Sequence, residues 1–287
     1  MSERKDMGWK PMPPAMSRRP KPPRDASRRY HDRVARQYDS IYDDPYWIFH
    51  DELTWRLIKP FLPTDASAQC ADLGCGTGKW GLRLLKSGFA TTFVDNAAAM
   101  IGQTREKIEL LGTRAKKSTT LVADIVDLTE IPDEQFSLVL AMGDPLSICS
   151  DPARAVREMR RITRPNGIVI ATADNLLAAL DHFAREGRLD DLEEFVQTRR
   201  THWLTPDKRE QFELTTFTPA SLRKLFEQAG LTVERLVGKP VLPVRQFKTL
   251  LTAPDAIERL LKLETELTRD PASAGRAAHL QIVARRT

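Results

Sequence analysis

Cysteine is scarce: the 287 residues hold three, Cys70, Cys75 and Cys149. An odd number without metal-ligand spacing argues against a disulfide framework or a cysteine metal site and predicts the reduced thiols of a cytoplasmic protein. Long apolar runs are missing too. No stretch approaches the ~20 residues of a membrane span, and core-like runs such as "FSLVLAMG" from Phe136 are strand-sized. The opening "MSERKDMGWKPMPP" carries charges but no apolar h-region, so no secretory signal is expected. Histidine is sparse as well. His50, His182 and His202 show no pairing with another chemistry-bearing residue in the sequence, and no internal repeat is found.

Positive charge is present but uneven. Residues 1–36 hold eleven Lys/Arg against four Asp/Glu, whereas the whole chain carries only +5. The basicity belongs to the N-terminal segment, and the body is slightly acidic. The pI of about 9.1 is therefore a weak argument for nucleic-acid binding. Residues 1–24 contain six prolines and scattered Arg and Lys. They cannot bury enough apolar surface to offset their ordering entropy, and a disordered tail over 1–26 is predicted.

From residue 27 onward one domain is expected. A helical pattern runs from Ser27 through "RRYHDRVARQYDSIY", and a second, "YWIFHDELTWRLIKPFL", ends before Pro63. A β/α alternation follows. The strands are "QCADLG", "TTFVD", "TTLVAD", "FSLVLAM" and, after the turn "RPNG", "IVIATAD". The helices between them include "KWGLRLLKSG", "AAAMIGQTREKIELLG" and "DPARAVREMRRIT". Short apolar strands alternating with amphipathic helices predict a doubly wound α/β fold with a mostly parallel, Rossmann-like sheet. Residues 175–214 break the rhythm with charged helices and an irregular stretch around Trp203, which predicts a helical cap over the strand ends. The pattern resumes with "TPASLRKLFEQAG", where Thr218 is the expected N-cap and Gly230 the C-cap. "LTVERLVG", "DAIERLLKLETEL" and "HLQIVAR" complete it.

The densest chemical signal is "ADLGCGTGKWG" at 71–81. A strand that ends in glycines and turns into a helix is a ligand loop, because glycine accepts positive φ and lets the backbone approach a ligand. Two ligand classes fit. Gly76-x-Gly78-x-x-Gly81 matches the dinucleotide fingerprint, a weak signal by itself. Asp72-x-Gly74-x-Gly76-x-Gly78 places an acid before alternating glycines, which suits an ammonium group on an adenosine ligand.

This stretch resembles motif I of the class I S-adenosylmethionine (SAM) dependent methyltransferases. The resemblance continues over about residues 30 to 175: Asp95 ends the second strand, "ADI" at 123–125 the third, and "RRITRPNGIVIAT" resembles the family's turn and fifth strand. It is strongest for the small-molecule enzymes of the ubiquinone/menaquinone (type 11) branch, and it implies a seven-stranded sheet. Asn166 departs from the usual glycine of that turn, and the 175–214 insertion leaves the substrate open. The implied SAM-binding residues are Asp72, Gly74, Cys75, Gly76, Gly78, Asp95, Asn96, Met100, Asp124, Ile125 and Met142. Asp95 would hold the ribose hydroxyls and Asp124 the adenine amino group. "GDPLS" stands where an "N-P-P-Y"-like motif would mark adenine or glutamine-amide acceptors.

The end of the fourth strand faces the acceptor in doubly wound sheets, which nominates Met142, Gly143, Asp144 and Ser147. Asp144 would orient or deprotonate the acceptor, or cap the following turn. Tyr38 and Tyr42 would close over SAM, or pack amphipathically. Trp47, Trp55 and Trp203 would line an apolar pocket, or belong to the core. No metal ligands are expected. The reading is a methyltransferase acting by in-line displacement on a small molecule. Its rivals are an RNA or protein methyltransferase that uses the basic tail, and a SAM-binding module without catalysis. The sequence fixes neither the acceptor nor the oligomeric state.

Overall fold

The computed structural model describes residues 25–187, 189–202 and 211–287. Residues 1–24 of the tail expected over 1–26 and the irregular stretch at 203–210, with Trp203, lie outside them, while Ala26, expected within that tail, is buried and begins the first helix. Helices α1 (Ala26–Val34), α2 (Tyr38–Ile41) and α3 (Pro45–Ile58) come first. The sequence pattern suggests one continuous helix over 27–42, but a tight turn at Ala35–Gln37 divides it. Asp44 starts α3 by accepting from the N–H groups of Tyr46 and Trp47 at 2.8 and 3.1 Å, with Pro45 at the first helical position.

The alternation then runs β1 (Gln69–Leu73), α4 (Lys79–Lys86), β2 (Ala90–Asp95), α5 (Ala98–Glu109), β3 (Ser118–Val122), β4 (Phe136–Ala141), α6 (Pro145–Ile148), α7 (Pro152–Ile162) and β5 (Thr163–Asp174). β5 continues through "RPNG", with Asn166 at φ +64° and a register shift against β4. The 175–214 segment forms α8 (Leu176–Glu186), α9 (Leu189–Thr198) and a small hairpin of β6 (Arg200–His202) and β7 (Glu213–Thr215). α10 (Pro219–Gln228), β8 (Thr232–Lys239), α11 (Ala256–Leu267) and β9 (His279–Arg285) finish the chain. A reciprocal Thr218–Ser221 capping box opens α10.

The seven-stranded sheet has the order β3-β2-β1-β4-β5-β9-β8. β1 through β5 are parallel, and β9 lies antiparallel between β5 and β8. Every residue of β4 is buried, as a central strand with both faces covered requires. The strand order reverses between β1 and β4, so the loops at their C-terminal ends diverge and leave a crevice. Because β9 runs antiparallel, its first residue meets the C-terminal ends of β5 and β8: His279 pairs with Asp174 and Lys239 in register.

Candidate active site

The glycine loop leaves β1 with Gly74, Gly76 and Gly78 at φ +62°, +54° and +85°. Two of them are pinned by the fold. A Cβ on Gly74 would sit 2.7 Å from Pro145, and one on Gly78 3.0 Å from Thr104. A Cβ on Gly76 would meet only the Tyr38 ring, at 3.8 Å, so the outer face of the loop is an open cradle under that ring. Gly81 serves packing rather than a ligand, since its Cβ would lie 2.3 Å from the Phe93 ring.

The two acids nearest the loop are tied to backbone. Asp95 accepts from the N–H of Gly76 at 2.8 Å and of Ala97 at 2.9 Å. Burial raises its pKa, and these two bonds oppose the rise. Asp72, read from the sequence as facing a ligand ammonium, is fully buried. One of its oxygens accepts from Gly81 N–H at 2.6 Å, while Oδ1 has no partner. Burial pushes its pKa up to about 7.

The other residues implied for SAM take varied positions. Asp124 accepts from Val126 N–H at 3.1 Å in a local turn. Asn96 is exposed, and Ile125 lies in the main core. Met100 is buried with Val34, Ala97 and Tyr38. The Cys75 side chain packs with Phe93 and Ile101, so only its backbone belongs to the loop. Met142 and Trp55 share a second apolar cluster, which answers the alternative for Trp55 in favour of core.

The N-terminal helices lie across the strand ends and present a row of rings. Successive centroids are 6.1 Å apart from His31 to Tyr38, 5.0 Å to Tyr42, 4.8 Å to Trp47, 5.3 Å to His50 and 5.6 Å to His279. Polar latches hold this cover down. Asp32 accepts from Ala99 N–H at 2.9 Å, giving α5 a cap that its own N-cap residue lacks. Asp39 meets Thr77 at 2.6 Å and Lys107 at 2.5 Å, and Asp51 meets Lys79 at 2.6 Å.

At the far end of the row lies a cluster that no spacing in the sequence displays. His279 Nδ1 is 2.8 Å from an Asp144 oxygen and 3.8 Å from Asp174. One ligand atom from each of the three lies within 4.8 Å of the others. Asp144 sits in the left-handed region at φ +62°. Its N–H and that of Gly143 both donate to Thr172 Oγ1 at 3.0 Å. The Asp174 N–H donates to Ser147 Oγ at 2.8 Å. Lys239 is buried; its ammonium donates to Thr54 at 2.7 Å and contacts His50 Nε2 at 3.1 Å.

These groups tune one another. Burial alone would raise Asp144, but contact with His279 wins and holds it down to about 2. Asp174, buried and beside Asp144, is pushed up to about 7. Burial lowers Lys239 to about 8. Burial and the Lys239 charge lower His50 to about 3, which keeps that ring neutral. His279 moves above its ordinary value because its two carboxylate neighbours outweigh its burial. Perturbed titrating groups gathered at strand ends make this cluster a candidate functional site.

The sequence reading nominated Asp144 and Ser147 here but missed Asp174, Lys239 and His279, and left His50 without a partner. Asp174 had a usable signal, an acid closing an apolar strand. Lys239 and His279 come together only when β9 turns back between β5 and β8.

Residues 70–167 match the family model described as "Methyltransferase domain". The chain is 34% identical over 115 residues to the phosphatidylethanolamine N-methyltransferase of Cereibacter sphaeroides, covering 40% of this chain and 51% of that protein. It is 22% identical over 221 residues to the tRNA 5-carboxymethoxyuridine methyltransferase of Escherichia coli (strain K12), covering 75% and 78%. The chain spans about half the length of the first two curated relatives it matches. Among solved structures, the [4+2]-cyclase SpnF superposes with a TM-score of 0.62 at 17% identity, covering 93% of this chain and 98% of that one; this likeness shows the fold alone. Sheet order, glycine loop and family match agree, and residues 70–167 are a methyltransferase domain of the class I, S-adenosylmethionine-dependent type.

Proposed function

We propose that the chain methylates a small molecule from SAM. The residues fit that cofactor. The outer face of Gly76 is the open cradle described above. Asp72 Oδ1 is a buried acceptor without a partner, and an ammonium close to the loop would oppose its isolation. Asp95 ends β2 and Asp124 follows β3; beyond their backbone bonds, their carboxylates would accept from a ribose and an adenine. Bound SAM supplies a methyl group on an already activated sulfonium. The protein's part is then to align the acceptor and exclude water. Tyr38 covers the loop, and the ring row closes the path toward Asp144.

The observation that carries the small-molecule reading is the cover itself. Asp144, Asp174 and His279 have side chains 16%, 31% and 17% exposed, and His279 packs against His50 of α3, so the acceptor end is covered on that side and offers little open surface to a macromolecule. A second reading has support from the basic segment at residues 1–36 and from the relative named for a tRNA substrate: an RNA acceptor held electrostatically.

Calorimetry with SAM, its demethylated product and NADH tests the cofactor. Micromolar binding of the first two and none of the third is expected; tight NADH binding without SAM binding would sink the reading. Truncation tests the acceptor. Removing residues 1–24 should leave small-molecule methylation intact, and removing residues 1–45 should cost about 100-fold by taking Tyr38 and Tyr42. Salt-dependent tRNA methylation lost with residues 1–24 would establish the RNA reading, and SAM binding with no turnover of any acceptor the silent module.

A further inference from the structure

The cluster at the ends of β4, β5, β8 and β9 contains more than a methyl transfer to an already deprotonated acceptor requires. A nucleophile that carries no proton at neutral pH needs only alignment. A hydroxyl or an ammonium must also lose a proton, and that calls for a base within reach. The sequence pointed to Asp144 for this work. In the fold Asp144 instead spends its charge on His279, at 2.8 Å, and a carboxylate held so far down is a poor proton acceptor at neutral pH.

His279 is better placed. Its Nδ1 lies against Asp144 and Asp174, and its Nε2 makes no hydrogen bond among the described residues. Its side chain is 17% exposed. The contact is made by Asp144 Oδ2; His279 Nδ1 lacks a directed hydrogen bond there, and the other Asp144 oxygen, Oδ1, has no partner.

We propose that His279 is the base for an acceptor whose nucleophile is a hydroxyl or an amine, with Asp144 and Asp174 as its positioning residues. This rests on the methyltransferase reading. In the step, a lone pair of the acceptor oxygen or nitrogen forms the bond to the methyl carbon. The carbon–sulfur bond breaks, and its electron pair returns to sulfur. The acceptor's proton passes to His279 Nε2, and the resulting imidazolium faces Asp144. The charged groups around the ring are Asp144 after β4, Asp174 at the end of β5, Lys239 at the end of β8 and His50 on α3. The two acids favour the imidazolium. Lys239 and burial oppose it without outweighing the acids, so the neutral, proton-accepting ring forms above the ordinary histidine range.

The experiment measures methyl transfer from labelled SAM by the full-length chain to a panel of phenols, alcohols and primary amines, with thioethers and carboxylates as proton-free controls. His279→Gln should lose at least ~100-fold on the protic probes and keep its SAM affinity within about twofold. The wild-type rate should rise with pH through the His279 titration. Asp144→Asn, tolerated at a left-handed position, removes an anion and should move that limb to lower pH; Lys239→Met removes a cation and should move it to higher pH. A merely structural histidine would produce neither shift. Independently of turnover, carbon and nitrogen NMR of labelled histidine should find neutral His279 as the Nδ1–H tautomer. A ring in the Nε2–H form, an active His279→Gln enzyme, turnover confined to thioethers or carboxylates, or activity that vanishes with a chelator and returns with a divalent cation would each overturn the proposal. Loss of SAM binding in the wild-type chain would instead strike the methyltransferase reading itself.

Discussion

The two ends of the crevice are built in opposite ways. At the β1–β2 end, the loop and its two acids are neighbours in sequence, and the conformation is held by backbone: Asp95 grips the N–H groups of Gly76 and Ala97, and Asp72 grips that of Gly81. At the β4–β5–β9 end, side chains grip one another. His279 meets Asp144 across more than a hundred residues, and Lys239 reaches His50 on the first long helix. Backbone-held loops suit a ligand that never changes, whereas a site assembled from side chains can be altered position by position while the fold stays.

The largest expected effect breaks the first end outright. Gly81→Val would press a branched side chain onto the Phe93 ring and the Asp72 carboxylate, at 2.3 and 2.9 Å from its Cβ. It should cost about 3 kcal/mol or more of stability, read as a lowered midpoint in urea unfolding. An equivalent loss at the other end should not follow from Gly143→Ala, whose Cβ would meet nothing within 4 Å and whose penalty comes only from φ +86°.

Asp95→Ala comes next. It leaves two backbone N–H groups without acceptors and should cost about 1–3 kcal/mol in stability, together with a loss of similar size in SAM affinity. Calorimetry and unfolding on the same sample separate the two. Unchanged affinity would reduce Asp95 to a strand-end cap.

A third test sets the two ends against each other by pH. Asp72 has its folded pKa raised from 3.8 to about 7, so the folded state binds the extra proton and stability falls as pH rises between those values. Asp144 has its folded pKa lowered from 3.8 to about 2, so its contribution is present above pH 3.8 and is lost as pH falls toward 2. Asp72→Asn should therefore flatten the stability curve between about pH 4 and 7, and Asp144→Asn should flatten it between about pH 4 and 2. Identical curves for the two variants would mean that the ends do not differ electrostatically.

The smallest effect concerns the latch. The Asp39 side chain is 55% exposed in its pair with Lys107, so Asp39→Asn should change stability by no more than ~1 kcal/mol and lose even that at high salt. Thermal unfolding at two ionic strengths measures it.

Much of this molecule was legible in the chain. Alternating apolar strands and amphipathic helices gave the sheet, and "TPASL" announced its helix start through Thr218. The loop at 71–81 declared itself because positive φ demands glycine locally. The break at Ala35–Gln37 was not legible, since the residues there are helix-compatible and packing against α5 decides the turn. Nor did Asp72 reveal that one of its oxygens would brace Gly81 from beneath.

What the sequence determined by itself is the local part: which residues form strands, where helices begin, and that a ligand loop follows β1. These rest on periodicity and backbone conformation, which neighbouring residues set among themselves. The tertiary structure alone decided that β9 would run antiparallel between β5 and β8. That direction carries His279 to Asp144, Asp174 and Lys239. A long-range pairing leaves no periodic mark on the chain, because its partners meet only after the sheet has closed around them.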